Sequence, residues 1–181
     1  MLDELNQPGD LSFVADQLLG GALDGVTIAP DAIVAMGHSL GAVTVLDLVA
    51  NRCCVDSRIK AAVVIAGTLN PLSLDRYFES GSPSVPLLFI HGDSDHTVPY
   101  LAGATAYAAA KRPKWFVTVK GGDHAFGLEG RSDGRNIVGP LYASAIGNFL
   151  NGFARGAPDG MDRLNALLSA NTQWLRLDAE R

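Results

Sequence analysis

The sequence lacks the features that mark several large classes of protein. It has no visible basic patch and its formal net charge is −5, which argues against nucleic-acid binding. No apolar run approaches the ~18–20 residues that a membrane-spanning helix needs. Residues 1–10 are polar and acidic, and they do not follow the basic-then-apolar plan of a signal peptide. We therefore expect no nucleic-acid partner, no membrane span and, for the chain as given, a cytoplasmic location.

Cysteine is scarce as well. The two cysteines, Cys53 and Cys54, are adjacent and fall near the expected end of a helix. Neighbours in a helix are poorly placed to bridge each other. We therefore expect two thiols without a catalytic or redox role.

The sequence does have enough apolar residues to build a core. Apolar residues make up 48% of the chain and charged residues 18%, which indicates a folded protein and not a disordered one. A length of 181 residues is typical of one domain, and no internal repeat is visible. We expect a single domain over residues 1–181, in which residues 151–181 form a terminal helix and a tail.

Strand and helix patterns alternate along the chain. Short apolar runs predict four buried strands, at residues 32–36, 59–66, 85–91 and 115–119. Helical patterns fall between and around them, at residues 10–19, 40–50, 99–110 and from Pro140 onward, and the segments 67–86 and 121–139 read as irregular. This order predicts an α/β fold, with a parallel sheet of about four strands and helices on both faces.

The most informative stretch is GHSLG at residues 37–41, which fits the G-x-S-x-G pattern of a nucleophile elbow. An apolar run precedes it and an apolar helical run follows it, as the motif requires. Gly37 and Gly41 are expected to allow a tight turn and a close contact between helix and strand. The pattern predicts that Ser39 presents its hydroxyl at the end of a strand.

A serine hydroxyl needs a base and an orienting acid to act as a nucleophile at neutral pH. Among the four histidines, His38 is expected to point away from the serine, and His91 and His96 lie in or beside a strand end. His124 follows the last predicted strand on a glycine-flanked loop, so we predict that it is the base.

The acid is less certain from the residues alone. Asp93 and Asp95 both follow the third predicted strand, Asp123 is a poorer third choice, and spacing does not separate the first two. A second interpretation of residues 91–96 is a metal site, because two histidines and two aspartates lie within six residues. No further ligand stands at a recognisable spacing, so we predict no metal and no cofactor.

Three motifs in order, GHSLG at 37–41, HGDSDHTVP at 91–99 and GGDH at 121–124, resemble an α/β-hydrolase. The resemblance is to the branch that contains dienelactone hydrolases, chlorophyllases and platelet-activating-factor-acetylhydrolase-like enzymes, and it runs from about residue 10 to residue 150. It implies that the acid is Asp95, that Asp93 is not catalytic, and that the Leu40 backbone N–H belongs to the oxyanion hole.

The resemblance also implies that an early part of the family's fold is missing. In relatives, several strands and the loop that supplies a second oxyanion-hole amide precede the helix predicted at residue 10. The elbow strand is then expected to have an open edge, through which the chain can self-associate. A truncated start would also leave the compartment unknown.

Three functions follow as expectations. The first is a serine hydrolase that acts on small-molecule carboxylic esters, whether short-chain, lipid or polyester-like, with Ser39 as nucleophile, His124 as base and Asp95 as its orienting acid. The second is a non-catalytic remnant or interaction domain that retains the triad. The third is acyl transfer or C–C hydrolysis on the same triad.

Overall fold

The structure is a computed structural model that describes residues 5–72, 76–79, 84–126 and 138–181. Parts of the two segments expected to be irregular, residues 73–75, 80–83 and 127–137, lie outside the described residues. Within the described part the helices are α1 Gln7–Leu19, α2 Leu40–Ala50, α3 Tyr100–Ala109, α4 Val138–Phe153 and α5 Gly160–Ala170. The strands are β1 Val34–His38, β2 Ala61–Ile65, β3 Leu87–Gly92, β4 Lys114–Val119 and β5 Leu175–Glu180.

The strands form one sheet in the order β1-β2-β3-β4-β5. The first four strands are parallel, and β5 runs antiparallel to β4. The α/β class is therefore confirmed, and the sheet has one strand more than expected. The extra strand comes from the tail, where buried Leu175 is followed by exposed Arg176 and not by a continuous apolar run. This pattern is typical of an edge strand, which needs only one apolar face.

The sheet is covered on both faces, and this explains the continuous apolar character of its strands. On one face, Ala62 and Val64 of β2 pack with α2 and α3 residues in one core cluster. On the other face, Ala61 and Val63 pack with α4 and α5 residues in a second cluster. Successive side chains of a strand point to opposite faces, so a strand buried on both faces is apolar at every position.

The strand that carries the elbow lies at one edge of the sheet. β1 pairs with β2 from Val34 opposite Ala61 to His38 opposite Ile65. No strand pairs with its other edge within the described residues, and Met36 at its centre is 57% exposed. This matches the expectation of an open edge at β1.

Helix α1 begins earlier than expected and is less buried. It begins at Gln7 with Pro8 in its first turn, so Asp10 is not its cap. Proline is favoured there because the N–H groups of the first turn have no partner within the helix. Leu11 and Val14, two members of the predicted apolar stripe, are exposed at 42% and 49%.

The cysteine expectation is wrong, because Cys53 and Cys54 form a disulfide with each other. The expectation applied the geometry of neighbouring residues in a helix to two residues that follow one. Helix α2 ends at Ala50, as the pattern at residues 40–50 predicted, and Asn51 adopts an extended conformation. The cysteines therefore lie in the following turn, in which the Cys54 N–H donates to the Asn51 carbonyl at 2.9 Å.

Candidate active site

Ser39 occupies the single residue between β1 and α2. Its φ of 56° and ψ of −122° are unusual for a residue with a side chain, and such strain is found at functional sites. A Cβ added to Gly37 would lie 2.2 Å from the Gly41 carbonyl oxygen, so only glycine fits at position 37. A Cβ on Gly41 would meet nothing within 4 Å. The close contact thus demands glycine at the first position of the pair and not, as expected, at both.

The structure brings together the three side chains that the sequence singled out. Ser39 Oγ lies 2.8 Å from His124 Nε2, and His124 Nδ1 lies 2.8 Å from Asp95 Oδ2. The Asp95 side chain is fully buried, while that of His124 is 19% exposed. A serine proton can therefore pass to an imidazole whose other nitrogen is already held by a carboxylate.

Asp95 is held by several donors at once. Its Oδ1 accepts hydrogen bonds from the Thr97 and Val98 backbone N–H groups, both at 2.9 Å. Burial raises the pKa of Asp95, but the hydrogen bonds from His124 and from these two N–H groups outweigh burial and leave the pKa lowered. The carboxylate is therefore ionised at neutral pH and can stabilise a charged imidazole.

The competing acids do not contact His124 through hydrogen bonds. Asp93 Oδ1 accepts the Gly121 N–H at 2.6 Å, and Asp123 Oδ1 accepts the Ala125 N–H at 3.0 Å. Both carboxylates therefore shape the loop that carries the base. Of the three carboxylates, Asp95 is the one that is hydrogen-bonded to the His124 ring.

Backbone hydrogen bonds join the loop that carries the acid to the loop that carries the base. Asp93 N–H donates to the Val119 carbonyl at 3.1 Å, and Ser94 N–H donates to the Gly122 carbonyl at 2.9 Å. A Cβ on Gly92 would lie 2.2 Å from the Gly122 oxygen, so the two loops pack backbone to backbone. This contact fixes the separation of Asp95 and His124.

His38 contacts the backbone of His124 and not the Ser39 hydroxyl, and this contact adds a residue to the site. Its Nε2 lies 2.7 Å from the His124 carbonyl oxygen, and the two rings are 4.8 Å apart. His38 therefore holds the backbone of His124 from the elbow side. The contact joins residues 86 apart in the chain, so no local sequence signal predicted it.

The backbone N–H of Leu40 lies in the first turn of α2, directly after Ser39. N–H groups in the first turn have no acceptor within the helix, so this one is available to an oxyanion. Leu40 itself is 43% exposed, so the elbow is open to an approaching molecule.

No group of three or more His, Cys, Asp or Glu side chains is arranged to hold a metal ion in the described ranges. Of the residues in the alternative metal site, His91 and Asp95 are buried beside each other, whereas Asp93 and His96 are exposed. Among the helices of the described part, none combines the length and apolar character needed to cross a membrane.

The structure is thus an α/β protein in which a serine is hydrogen-bonded to a histidine and the histidine to a buried aspartate. No protein-family model matches the chain. The chain is 31% identical over 161 residues to the uncharacterized protein YfhR of Salmonella typhi. The matched region covers 82% of this chain and 51% of the relative. It is 29% identical over 113 residues to YfhR of Escherichia coli K12, over 54% of this chain and 39% of the relative.

The chain thus spans about half the length of the curated relatives it matches. The names of these relatives state no activity. The geometry of the site is therefore what points to a function.

Proposed function

We propose that this chain is a serine hydrolase of carboxylic esters and a member of the α/β-hydrolase family. The observation that carries the proposal is the continuous line of two 2.8 Å hydrogen bonds from Ser39 through His124 to Asp95. The strained elbow supports it, because a serine held between a parallel strand and a helix is how α/β-hydrolases expose their nucleophile.

The chemistry follows from the arrangement. Ser39 Oγ attacks the acyl carbon and its proton moves to His124 Nε2, while the carbonyl electrons move onto the oxygen near the Leu40 N–H. Collapse of this intermediate expels the alcohol, which takes the proton from His124. Water then attacks the acyl-enzyme in the same way, releasing the acid and restoring the Ser39 hydroxyl. Asp95 stays ionised and holds His124 in the required tautomer.

The experiment is hydrolysis of p-nitrophenyl esters of increasing acyl length by purified wild type, Ser39→Ala and Ser94→Ala. Ser94 is an exposed serine of the acid-bearing loop, and its hydroxyl lies 3.4 Å from Asp93 and not beside the base. We expect Ser39→Ala to lose turnover and Ser94→Ala to keep it. Equal rates for wild type and Ser39→Ala would refute the proposal.

A non-catalytic remnant is the second candidate, because we assign only one oxyanion donor, the Leu40 N–H, to the site. Loss of one such donor costs roughly 10²–10³ in turnover in another hydrolase. A remnant would bind esters without releasing alcohol. The same assay distinguishes the two, since even slow turnover that depends on Ser39 contradicts a remnant.

A further inference from the structure

His91 lies inside the molecule beside the Asp95 carboxylate. It is 1% exposed and is the penultimate residue of β3, which leads into the acid-bearing loop. Its Nε2 lies 2.9 Å from the Val98 carbonyl oxygen and 3.4 Å from Asp95 Oδ2. Asp95 Oδ2 is the oxygen that also binds His124.

The surroundings of His91 fix both its charge and its tautomer. Burial lowers the pKa of His91, and the hydrogen bond to Val98 with the nearby Asp95 carboxylate offsets only part of that effect. The ring is therefore neutral at pH 7. A carbonyl oxygen only accepts, so Nε2 must carry the proton that faces Val98 and Asp95.

The ring cannot move away from this position. A Cβ on Gly103 of α3 would lie 2.3 Å from His91 Nδ1, so the helix backbone closes directly over that nitrogen. Tyr100 packs edge-on against the ring, with centroids 6.0 Å apart, and its hydroxyl is hydrogen-bonded to Thr118 of β4. The titratable groups that face His91 are thus Asp95, His124 and Tyr100.

We propose that His91 is a positioning residue for the reaction, whose Nε2–H holds the Val98 turn and directs Asp95 Oδ2 at His124. This inference rests on the proposed function. The Val98 N–H and carbonyl are both used: the N–H binds Asp95 Oδ1 and the carbonyl binds His91. The His91 Nε2–H therefore holds the Val98 carbonyl, and the Val98 N–H in turn holds Asp95 Oδ1, so this one proton fixes the position of the carboxylate.

The first test compares His91→Gln, His91→Leu and His96→Gln in ester hydrolysis. The amide nitrogen of glutamine can stand near the position of Nε2, whereas leucine has similar bulk and no donor. A misplacement of ~1 Å in a catalytic group costs about 100-fold in rate. We expect His91→Leu to lose 10- to 100-fold in kcat with KM nearly unchanged, and His91→Gln to recover most of the loss. Exposed His96→Gln should match wild type.

A second pair of variants tests the position of the His91 ring without replacing His91. Gly103→Ala places a methyl group where His91 Nδ1 lies, and it should lower kcat as His91→Leu does. Gly147→Ala in α4 is the matched control, because its Cβ would meet nothing within 4 Å. Thermal unfolding of all five variants separates positioning from folding, since His91→Gln and His91→Leu should differ in kcat far more than in Tm.

A measurement that needs no activity completes the test. Nitrogen-15 NMR of the histidine rings reports the tautomer of each ring, and we expect His91 to be neutral at pH 7 with its proton on Nε2. A proton on Nδ1, or a charged ring at that pH, would overturn the inference. The inference would also be overturned if wild type hydrolyses esters and His91→Leu is equally active. If wild type is inactive but His91 has the expected tautomer, the result would count against the proposed function alone.

Discussion

Asp93 Oδ1 accepts the backbone N–H of Gly121 at 2.6 Å, so the carboxylate two residues before the acid fastens the start of the loop that carries His124. Two carboxylates on one turn therefore have separate tasks. The buried Asp95 carboxylate is hydrogen-bonded to the His124 ring, and the exposed Asp93 carboxylate is hydrogen-bonded to the backbone of the loop that carries His124.

This division gives a prediction for two matched substitutions. Asp95→Asn should lower kcat by roughly 10⁴-fold, because an amide at this position favours the wrong imidazole tautomer. Asp93→Asn should lower it less than about 10-fold, because the amide oxygen can still accept from Gly121. Steady-state ester hydrolysis measures both, and a larger loss for Asp93→Asn would reverse the assignment of the acid.

Stability at acid pH should depend on Asp56. Hydrogen bonds from the Arg58 side chain are the main cause that lowers the pKa of Asp56 from 3.8 to about 2. A depressed pKa stabilises the fold above pH 3.8 by about 2 kcal/mol, and this contribution is lost as pH falls towards 2.

We therefore expect Asp56→Asn to reduce the free energy of unfolding by about 2 kcal/mol at pH 7. The difference from wild type should shrink between pH 4 and pH 2, as urea unfolding can show. Asp31→Asn, at an exposed carboxylate, is the control and should show no such trend. A difference that stays constant down to pH 2 would contradict the pairing of Asp56 with Arg58.

A buried hydrogen-bond network should make Tyr77 important for stability. The Tyr77 hydroxyl donates to Asp47 of α2 and accepts the Asn70 N–H at 3.1 Å. Burial, and then the Asp47 carboxylate, raise the pKa of Tyr77 above its usual value.

Tyr77→Phe would leave the buried Asn70 N–H without this acceptor and would remove one of the donors to Asp47, which keeps those from the Asn51 and Asn70 side chains. We therefore expect a loss of about 1–3 kcal/mol in unfolding free energy. Tyr107→Phe should cost much less, because the Tyr107 hydroxyl makes no hydrogen bond in the described part of the chain. Urea unfolding at pH 7 compares the two, and equal losses would show that the network adds nothing.

The open edge of β1 predicts association of the chain with a second copy. Edge strands with unpaired N–H and carbonyl groups pair readily, and a lysine on such a strand opposes pairing. We therefore expect the chain to associate as its concentration rises and Met36→Lys on β1 to weaken this association, both measured by analytical ultracentrifugation. Leu101→Lys, on the 75% exposed residue of α3, should leave it unchanged. A wild type that stays monomeric at high concentration would contradict this prediction.

Much of the fold was predictable because its strands are buried on both faces. The apolar run at residues 59–66 contains β2 at Ala61–Ile65, and the run at 115–119 falls within β4 at Lys114–Val119. The fifth strand was not predicted, since Leu175–Glu180 carries charges and is stable only beside β4. Pairing across the chain decided its structure, not local propensity.

The candidate-site residues that follow strand ends could be predicted from their order along the chain. Contacts that depend on side-chain orientation could not. Ser39, Asp95 and His124 follow three strand ends in the expected order. The contact of His38 with His124 depends on a ring orientation that no spacing reports. The Cys53–Cys54 disulfide was likewise missed, because it depends on the backbone of the turn after α2 and not on the end of the helix, which the sequence placed correctly at Ala50.

The proposed hydrolysis requires that Ser39 is a nucleophile activated by His124. The most direct measurement is intact-mass spectrometry after treatment with a fluorophosphonate, followed by peptide mapping, on wild type, Ser39→Ala and His124→Ala. This account predicts one adduct on wild type, located at Ser39, with none on Ser39→Ala and far slower labelling of His124→Ala. No adduct on folded wild type, or an adduct on a different serine, would contradict it.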